Sequence, residues 1–197
     1  MTVAILGRGN MGGPIAELSR KAGYDVSIVG QDGNAEAAIK DADLIVLALR
    51  YDPAKALLSE KTVQDALEGK VLIDVTNPLA PDYMSLTVGH NTSAGETLAA
   101  MVPGTRVVKA FNTVFSDLLK AQAAGTDSPV PVYVAGNDAD ARAQVVTFVE
   151  DMGMVAIESG PLSKARYLEP MAEMMIQLGY GLGHGAEIGF ALVKAAW

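Results

Sequence analysis

Apolar and polar positions along the chain follow two rhythms. Runs of Val, Ile, Leu and Ala of strand length occur at 2–6, 26–29, 44–49, 71–75, 106–111 and 130–135. The run at 44–49 is apolar throughout, as a strand covered on both faces would be. Between these runs apolar residues recur at helical spacing, which predicts helices over 10–22, 53–67, 94–101, 116–124 and 138–152. Ser116 suits an N-cap, Pro53 a first turn, and the early aspartates of the 138–152 segment the positive end of a helix dipole. The second and third strands lie so close in sequence that the helix between them, around 34–40, must be short. Residues 77–92 are irregular, 155–157 suits a last edge strand, and 163–177 reads as a helix before a glycine-spaced apolar tail to 197. Strand following helix from end to end predicts the α/β class, a doubly wound parallel sheet with helices on both faces. The sheet unit is assigned to 1–160 and a short C-terminal helical segment to 161–197, the two forming one compact unit.

Composition narrows what such a sheet can do. With 197 residues the chain has no room for a helical substrate domain as large as the sheet unit. Fifteen basic against 23 acidic residues leave a net charge of −8, which repels a polyanion, so nucleic acid is not an expected partner. The absence of cysteine and the presence of only two histidines argue against thiol catalysis and zinc sites. No basic leader precedes the first strand, and the run at 44–49 is far shorter than a membrane span, so a cytoplasmic protein with no membrane association is expected. Glycine, at 20 residues, is in excess and asks for a use.

One use is the turn after the first strand, Gly7-Arg8-Gly9-Asn10-Met11-Gly12, a GxGxxG that opens a helix. Such glycines serve a tight turn, the close approach of backbone to a pyrophosphate and the packing of helix on strand, with the helix N-terminus facing the phosphates. A dinucleotide is the implied ligand. An acidic residue at the end of the second strand would favour NAD, and Asp32, after Gly30 and Gln31, stands slightly late for that role. Arg8 points the other way, because a guanidinium beside the adenosine can pair with a 2′-phosphate. NADP is therefore expected over NAD, with Gln31 on the same adenosine side.

Ligands of these sheets sit at the carboxyl ends of the strands. Leu49-Arg50-Tyr51, Thr76-Asn77-Pro78-Leu79 and Ala110-Phe111-Asn112-Thr113 leave those ends and supply candidate groups for a nicotinamide. Lys109, charged within an apolar strand, needs either a cleft or a buried partner such as Asp74. Tyr51 and Lys55 match a YxxxK pattern, but after the third strand and without a preceding serine the match is read as coincidence. No hydrolase triad is specified by His90 and His184, and no residue is assigned as catalytic. Hydride transfer to a flavin-like ring needs no obligatory side-chain acid.

Five segments in order resemble a known family: Gly7 to Gly12, Asp74-Val75-Thr76-Asn77-Pro78-Leu79, Val107-Val108-Lys109-Ala110-Phe111-Asn112-Thr113, Val134-Ala135-Gly136-Asn137-Asp138, and Gly160-Pro161-Leu162-Ser163-Lys164-Ala165-Arg166-Tyr167-Leu168-Glu169. Together they resemble the coenzyme F420-dependent NADP oxidoreductases, and are also similar to the oxidoreductase domain of STEAP metalloreductases. The resemblance implies a Rossmann-type domain, often dimeric, that passes hydride between NADP and a deazaflavin or flavin. It puts Gly7, Gly9, Asn10, Met11 and Gly12 at the pyrophosphate, Arg8 toward the 2′-phosphate, and Asn77, Pro78, Ala110, Phe111 and Asn112 on the nicotinamide side. The chain departs from the family at Gly30-Gln31-Asp32, where a Gly-Ser-Arg usually grips the 2′-phosphate, and at Arg50, where proline is common. Arg50 can offer charge to cofactor or acceptor. Beyond Pro170, Met171, Met174, Met175 and Leu178 form an apolar stripe, and glycines 179 to 189 permit close approach of a planar ring or a second subunit. A homodimer whose tail borders the acceptor is expected. The alternatives are a reductase of a small carbonyl compound and a dinucleotide sensor without turnover.

Overall fold

The computed structural model describes residues 1–193 except 32, 127 and 129, so the Asp32 expectation and the end of the tail lie outside the described residues. Seven strands form one sheet: β1 (Thr2–Leu6), β2 (Asp25–Val29), β3 (Leu44–Leu47), β4 (Val71–Asp74), β5 (Arg106–Lys109), β6 (Pro131–Gly136) and β7 (Val155–Gly160). Their order is β2-β1-β3-β4-β5-β6-β7, and β1 to β5 are all parallel. Chain order reverses between β1 and β3, which opens a crevice at their carboxyl ends.

Period-two alternation sorts each strand's side chains between two cores. Val3, Ile5, Val46, Ile73 and Val108 enter one, under α1 (Gly12–Lys21), α6 (Ser116–Ala124) and α7 (Ala139–Asp151). Ile45, Leu47, Leu72 and Val107 enter the other, under α2 (Ala35–Lys40), α3 (Tyr51–Leu58), α4 (Lys61–Leu67) and α5 (Ala94–Met101). Each fully buried aliphatic side chain contributes about 1.5–3 kcal/mol, so the doubly covered strands are the rigid base of whatever sits at their ends.

Three features depart from the sequence expectation. Strand β6 pairs antiparallel to β5, through Val108 with Gly136 and Lys109 with Ala135, while β7 runs parallel to β6. The long connection from β5, with slack on both sides of the nine-residue α6, allows either direction, so spacing alone could not fix it. The helix expected over 53–67 is two helices, because the Ser59 hydroxyl bonds back to the Ala56 carbonyl at 2.6 Å and Glu60 is extended. The strand expected to reach 111 stops at Lys109, and Phe111 takes a left-handed φ of 62°.

After β7 a 3-10 turn (Leu162–Lys164) leads into α8 (Ala165–Ile176) and a π-helical turn (Gln177–Gly181). Beyond it the described tail has no regular structure and lies along β6, where the Tyr133 hydroxyl donates to the Phe190 carbonyl at 3.3 Å.

Candidate functional site

The turn between β1 and α1 is built by its glycines. Gly7 has φ +119°, and a Cβ there would lie 2.3 Å from the Ala48 carbonyl oxygen on β3's exit, so only glycine lets the two strand ends meet. A Cβ on Gly12 would lie 1.9 Å from the Gly7 carbonyl oxygen, which fixes glycine where α1 packs on the turn. At Gly9 a Cβ would meet nothing within 4 Å, and its backbone has ordinary φ. The protein's own packing gives Gly9 no reason to be glycine. Its open backbone stands beside the N-terminus of α1, which no side chain caps.

Arg8 is exposed, and its guanidinium runs beside Gly30 at the end of β2, about 4 Å from where a Gly30 Cβ would stand. It forms no ion pair among the described residues. Gln31 follows Gly30 and is exposed, as is Asn10 next to Gly9, while Met11 is half-buried. The glycine turn and the end of β2 are therefore contiguous.

Leu49 carries the surface onward. Its side chain lies 3.1 Å from the Gly7 Cβ position and also lines a cavity of about 270 Å³ at the ends of β3 and β4, which Arg50, Tyr51, Thr76, Asn77 and Tyr83 help to enclose. Arg50 stacks on Tyr83, with its Cζ 5.2 Å from the ring centroid. Lys55 pairs with Asp52 at 2.8 Å, an ordinary helix-surface contact. Pro78 is buried and does not line the cavity.

From β5 the chain adds Asn112. Asn77 Nδ2 donates to the Asn112 carbonyl at 2.8 Å and Asn112 Nδ2 donates to Asn77 Oδ1 at 3.0 Å, which stitches the exits of β4 and β5 together. Asn112 Nδ2 also donates to the Leu168 carbonyl at 3.0 Å; that carbonyl can only accept, so the amide nitrogen must face it. Ala110 and the Phe111 side chain are fully buried, the ring edge-on to Phe148 at 6.3 Å, which leaves only Phe111's backbone to meet a ligand.

Beneath this shelf lies a buried ionic cluster. Lys109 Nζ meets Asp74 Oδ2 at 2.9 Å and Glu169 Oε1 at 2.8 Å, and donates to the Thr76 carbonyl as well. Burial pulls the ammonium's pKa down, and the adjoining Asp74 and Glu169 carboxylates outweigh it, raising Lys109 above the ordinary lysine value. The sequence pointed to the Asp74 partner. Glu169, sixty positions from Lys109 and on a helix, was visible only as part of a family segment, and Tyr83 only as part of the irregular 77–92 stretch. Among the described residues no group of three His, Cys, Asp or Glu side chains could hold a metal, and no helix is long and apolar enough to cross a membrane.

Comparison with known proteins gives this arrangement a family. The family described as NADP oxidoreductase, coenzyme F420-dependent, matches residues 29–78. The F420-dependent NADP reductase of Methanothermobacter thermautotrophicus is 32% identical over 164 residues, covering 78% of this chain and 67% of that protein. Metalloreductase STEAP3 of Rattus norvegicus is 28% identical over 181 residues, covering 85% of this chain; the chain spans 35% of that relative's length. A proposed F420-dependent NADP-reductase from Arthrobacter sp. FB24, solved by crystallography, superposes with a TM-score of 0.86 at 27% identity, covering 98% of this chain and 99% of that one. The glycine turn, the crevice at the β1/β3 reversal and these similarities agree, and the chain belongs to the family of F420-dependent NADP reductases, which are NADP-dependent oxidoreductases.

Proposed function

We propose that this protein transfers hydride between NADP(H), held along the Gly7 to Gly12 turn, and a flavin- or deazaflavin-type acceptor at the cavity beside it. The observation that carries this reading is Gly9, a glycine whose position is open to 4 Å at the N-terminus of α1, with Arg8 on one side and the cavity on the other. When bound, the nicotinamide supplies the hydride and the acceptor ring receives it.

The chain's own residues bind, orient and exclude water. Backbone N–H groups around Gly9 and the start of α1 would hold the pyrophosphate, and Arg8 would pair with the 2′-phosphate that distinguishes NADP from NAD. Leu49 gives the crevice an apolar wall. Asn77, fixed by Asn112, gives it a rigid polar one. Arg50 stands at the mouth with a positive charge suited to an anionic acceptor, and in a protein of net charge −8 such local cations decide where anions settle. No side-chain proton donor is required, which favours a redox ring over a carbonyl compound as acceptor.

The tail supports a further part of the reading, a homodimer. Leu182, Leu192 and Val193 are 71%, 61% and 87% exposed, large apolar side chains that a second copy would cover. The same reading carries a cytoplasmic location. Light scattering at micromolar concentration should return the mass of two chains, and the mass of one would remove the dimer.

The reaction is tested by mixing the protein with NADPH and, separately, F420, FMN, FAD and a panel of small carbonyl compounds, following nicotinamide absorbance. Loss of absorbance with a deazaflavin or flavin is expected. Tight NADPH binding with no turnover on any acceptor would make the protein a sensor, and turnover on carbonyl compounds alone would make it a carbonyl reductase.

A further inference from the structure

Buried polar groups in folded proteins are nearly always hydrogen-bonded. Among the described residues three buried side-chain atoms are not: Thr76 Oγ1, Asn112 Oδ1 and Thr113 Oγ1. They fall on two neighbouring segments, the exits of β4 and β5, which the Asn77–Asn112 hydrogen bonds already join. Thr76 also lines the cavity. Leaving such groups unpaired costs about 1–3 kcal/mol each, and their concentration at one place marks a site where something else completes the bonding.

Thr76 is held with unusual firmness for a loop residue. Its N–H donates to Asp74 Oδ1 at 2.8 Å, and its carbonyl accepts from the Lys109 ammonium. That ammonium is itself fixed between Asp74 and Glu169, and Glu169 accepts the N–H groups of Ala94 and Gly95 at 2.9 and 3.0 Å. Both ends of the Thr76 backbone are therefore tied to one buried cluster that spans β4, β5, α5 and α8. A hydroxyl without a partner, on a backbone with no freedom, is preorganised for a ligand.

We propose that Thr76 is a binding residue for the nicotinamide carboxamide, and that Lys109 and Glu169 are positioning residues that hold it in place. A carboxamide fits the chemistry, since its carbonyl can accept from the Thr76 hydroxyl and its N–H can donate to the same oxygen. The inference rests on reading the crevice as an NADP(H) site.

The test compares two ligands, NADPH and its adenosine half 2′,5′-ADP, which has the 2′-phosphate and no nicotinamide. Thr76→Val is isosteric and removes the hydroxyl. Affinity for NADPH should fall about three- to ten-fold, the value of one hydrogen bond, while affinity for 2′,5′-ADP stays within two-fold and the melting temperature does not fall. Thr76→Ser should restore NADPH binding. Glu169→Gln, which keeps the size and one acceptor, should also lower the NADPH to 2′,5′-ADP affinity ratio. If Thr76→Val leaves the NADPH affinity unchanged, or weakens both ligands equally, buried water or a purely structural role explains the orphaned atoms and the Thr76 assignment is overturned. If Glu169→Gln lowers the melting temperature without moving the ratio, the positioning role is overturned. If the unmodified protein binds neither ligand, the proposed function fails first and this inference goes with it.

Discussion

Replacing Lys109 by methionine tests the ionic cluster at its centre. The side chain is fully buried within β5, and its ammonium meets three acceptors, Asp74 Oδ2, Glu169 Oε1 and the Thr76 carbonyl. Methionine fills similar volume, so no large cavity term arises. It leaves two carboxylates, 0% and 1% exposed, facing each other without the cation. Breaking a buried ion pair in this way costs about 3–5 kcal/mol. For a domain of this size each kcal/mol moves the melting temperature by about 2–4 °C, so Lys109→Met should melt about 6–20 °C below the unmodified protein. The pH dependence has a definite sign. Because the folded-state pKa of Lys109 is raised above 10.5, its contribution is fully present below pH 10.5 and is lost as pH rises through the raised value. Urea denaturation in alkaline buffers should show that loss in the unmodified protein and not in Lys109→Met. A variant that melts within a degree or two of the parent at neutral pH would refute the view that the cluster supports the site.

Arg8→Ala should raise the NADPH dissociation constant about ten-fold, the scale of a charge-assisted contact, and leave NADH unchanged; equal effects on both cofactors in a fluorescence titration would remove Arg8 from the 2′-phosphate. Gly9→Ala and Gly12→Ala should separate binding from folding. The first, with open space at Cβ, should keep the parent's melting temperature and lose NADPH binding, whereas the second, 1.9 Å from a carbonyl oxygen, should fold poorly. Hydrogen bonds from Arg166 hold the Glu96 carboxyl below its ordinary value of 4.5, against burial and with help from the Ser93 hydroxyl. The stability this gives to the α5–α8 junction is present above pH 4.5 and lost as pH falls through the depressed value, so Glu96→Gln should flatten the acid limb of the melting curve.

What the sequence made legible was local. Strand β3 announces itself as an unbroken apolar run, and β1 and β4 as nearly so, because both of their faces are buried, and the glycine turn is legible because close approaches at Gly7 and Gly12 admit no other residue. The direction of β6 is not local, since it depends on how a slack connection closes. The Lys109 cluster is half legible: a charged residue inside an apolar strand demands a partner, and Asp74 sits on the neighbouring strand, but Glu169 arrives from α8 after sixty residues of chain. The left-handed backbone of Phe111 and the Arg50–Tyr83 stack arise only once the exits of the strands are brought side by side. The orphaned atoms on Thr76, Asn112 and Thr113 are likewise invisible in the sequence, because they are defined by partners that packing fails to supply.

Direct hydride transfer across the crevice is read out by isotope labelling. NADPH carrying deuterium at the reactive nicotinamide carbon is incubated anaerobically with the protein and an oxidised deazaflavin, whose carbon acceptor retains what it receives. Recovery of deuterium in the reduced deazaflavin is the expected result. Consumption of NADPH with the label in solvent, or no consumption of NADPH that the same protein binds, would contradict it.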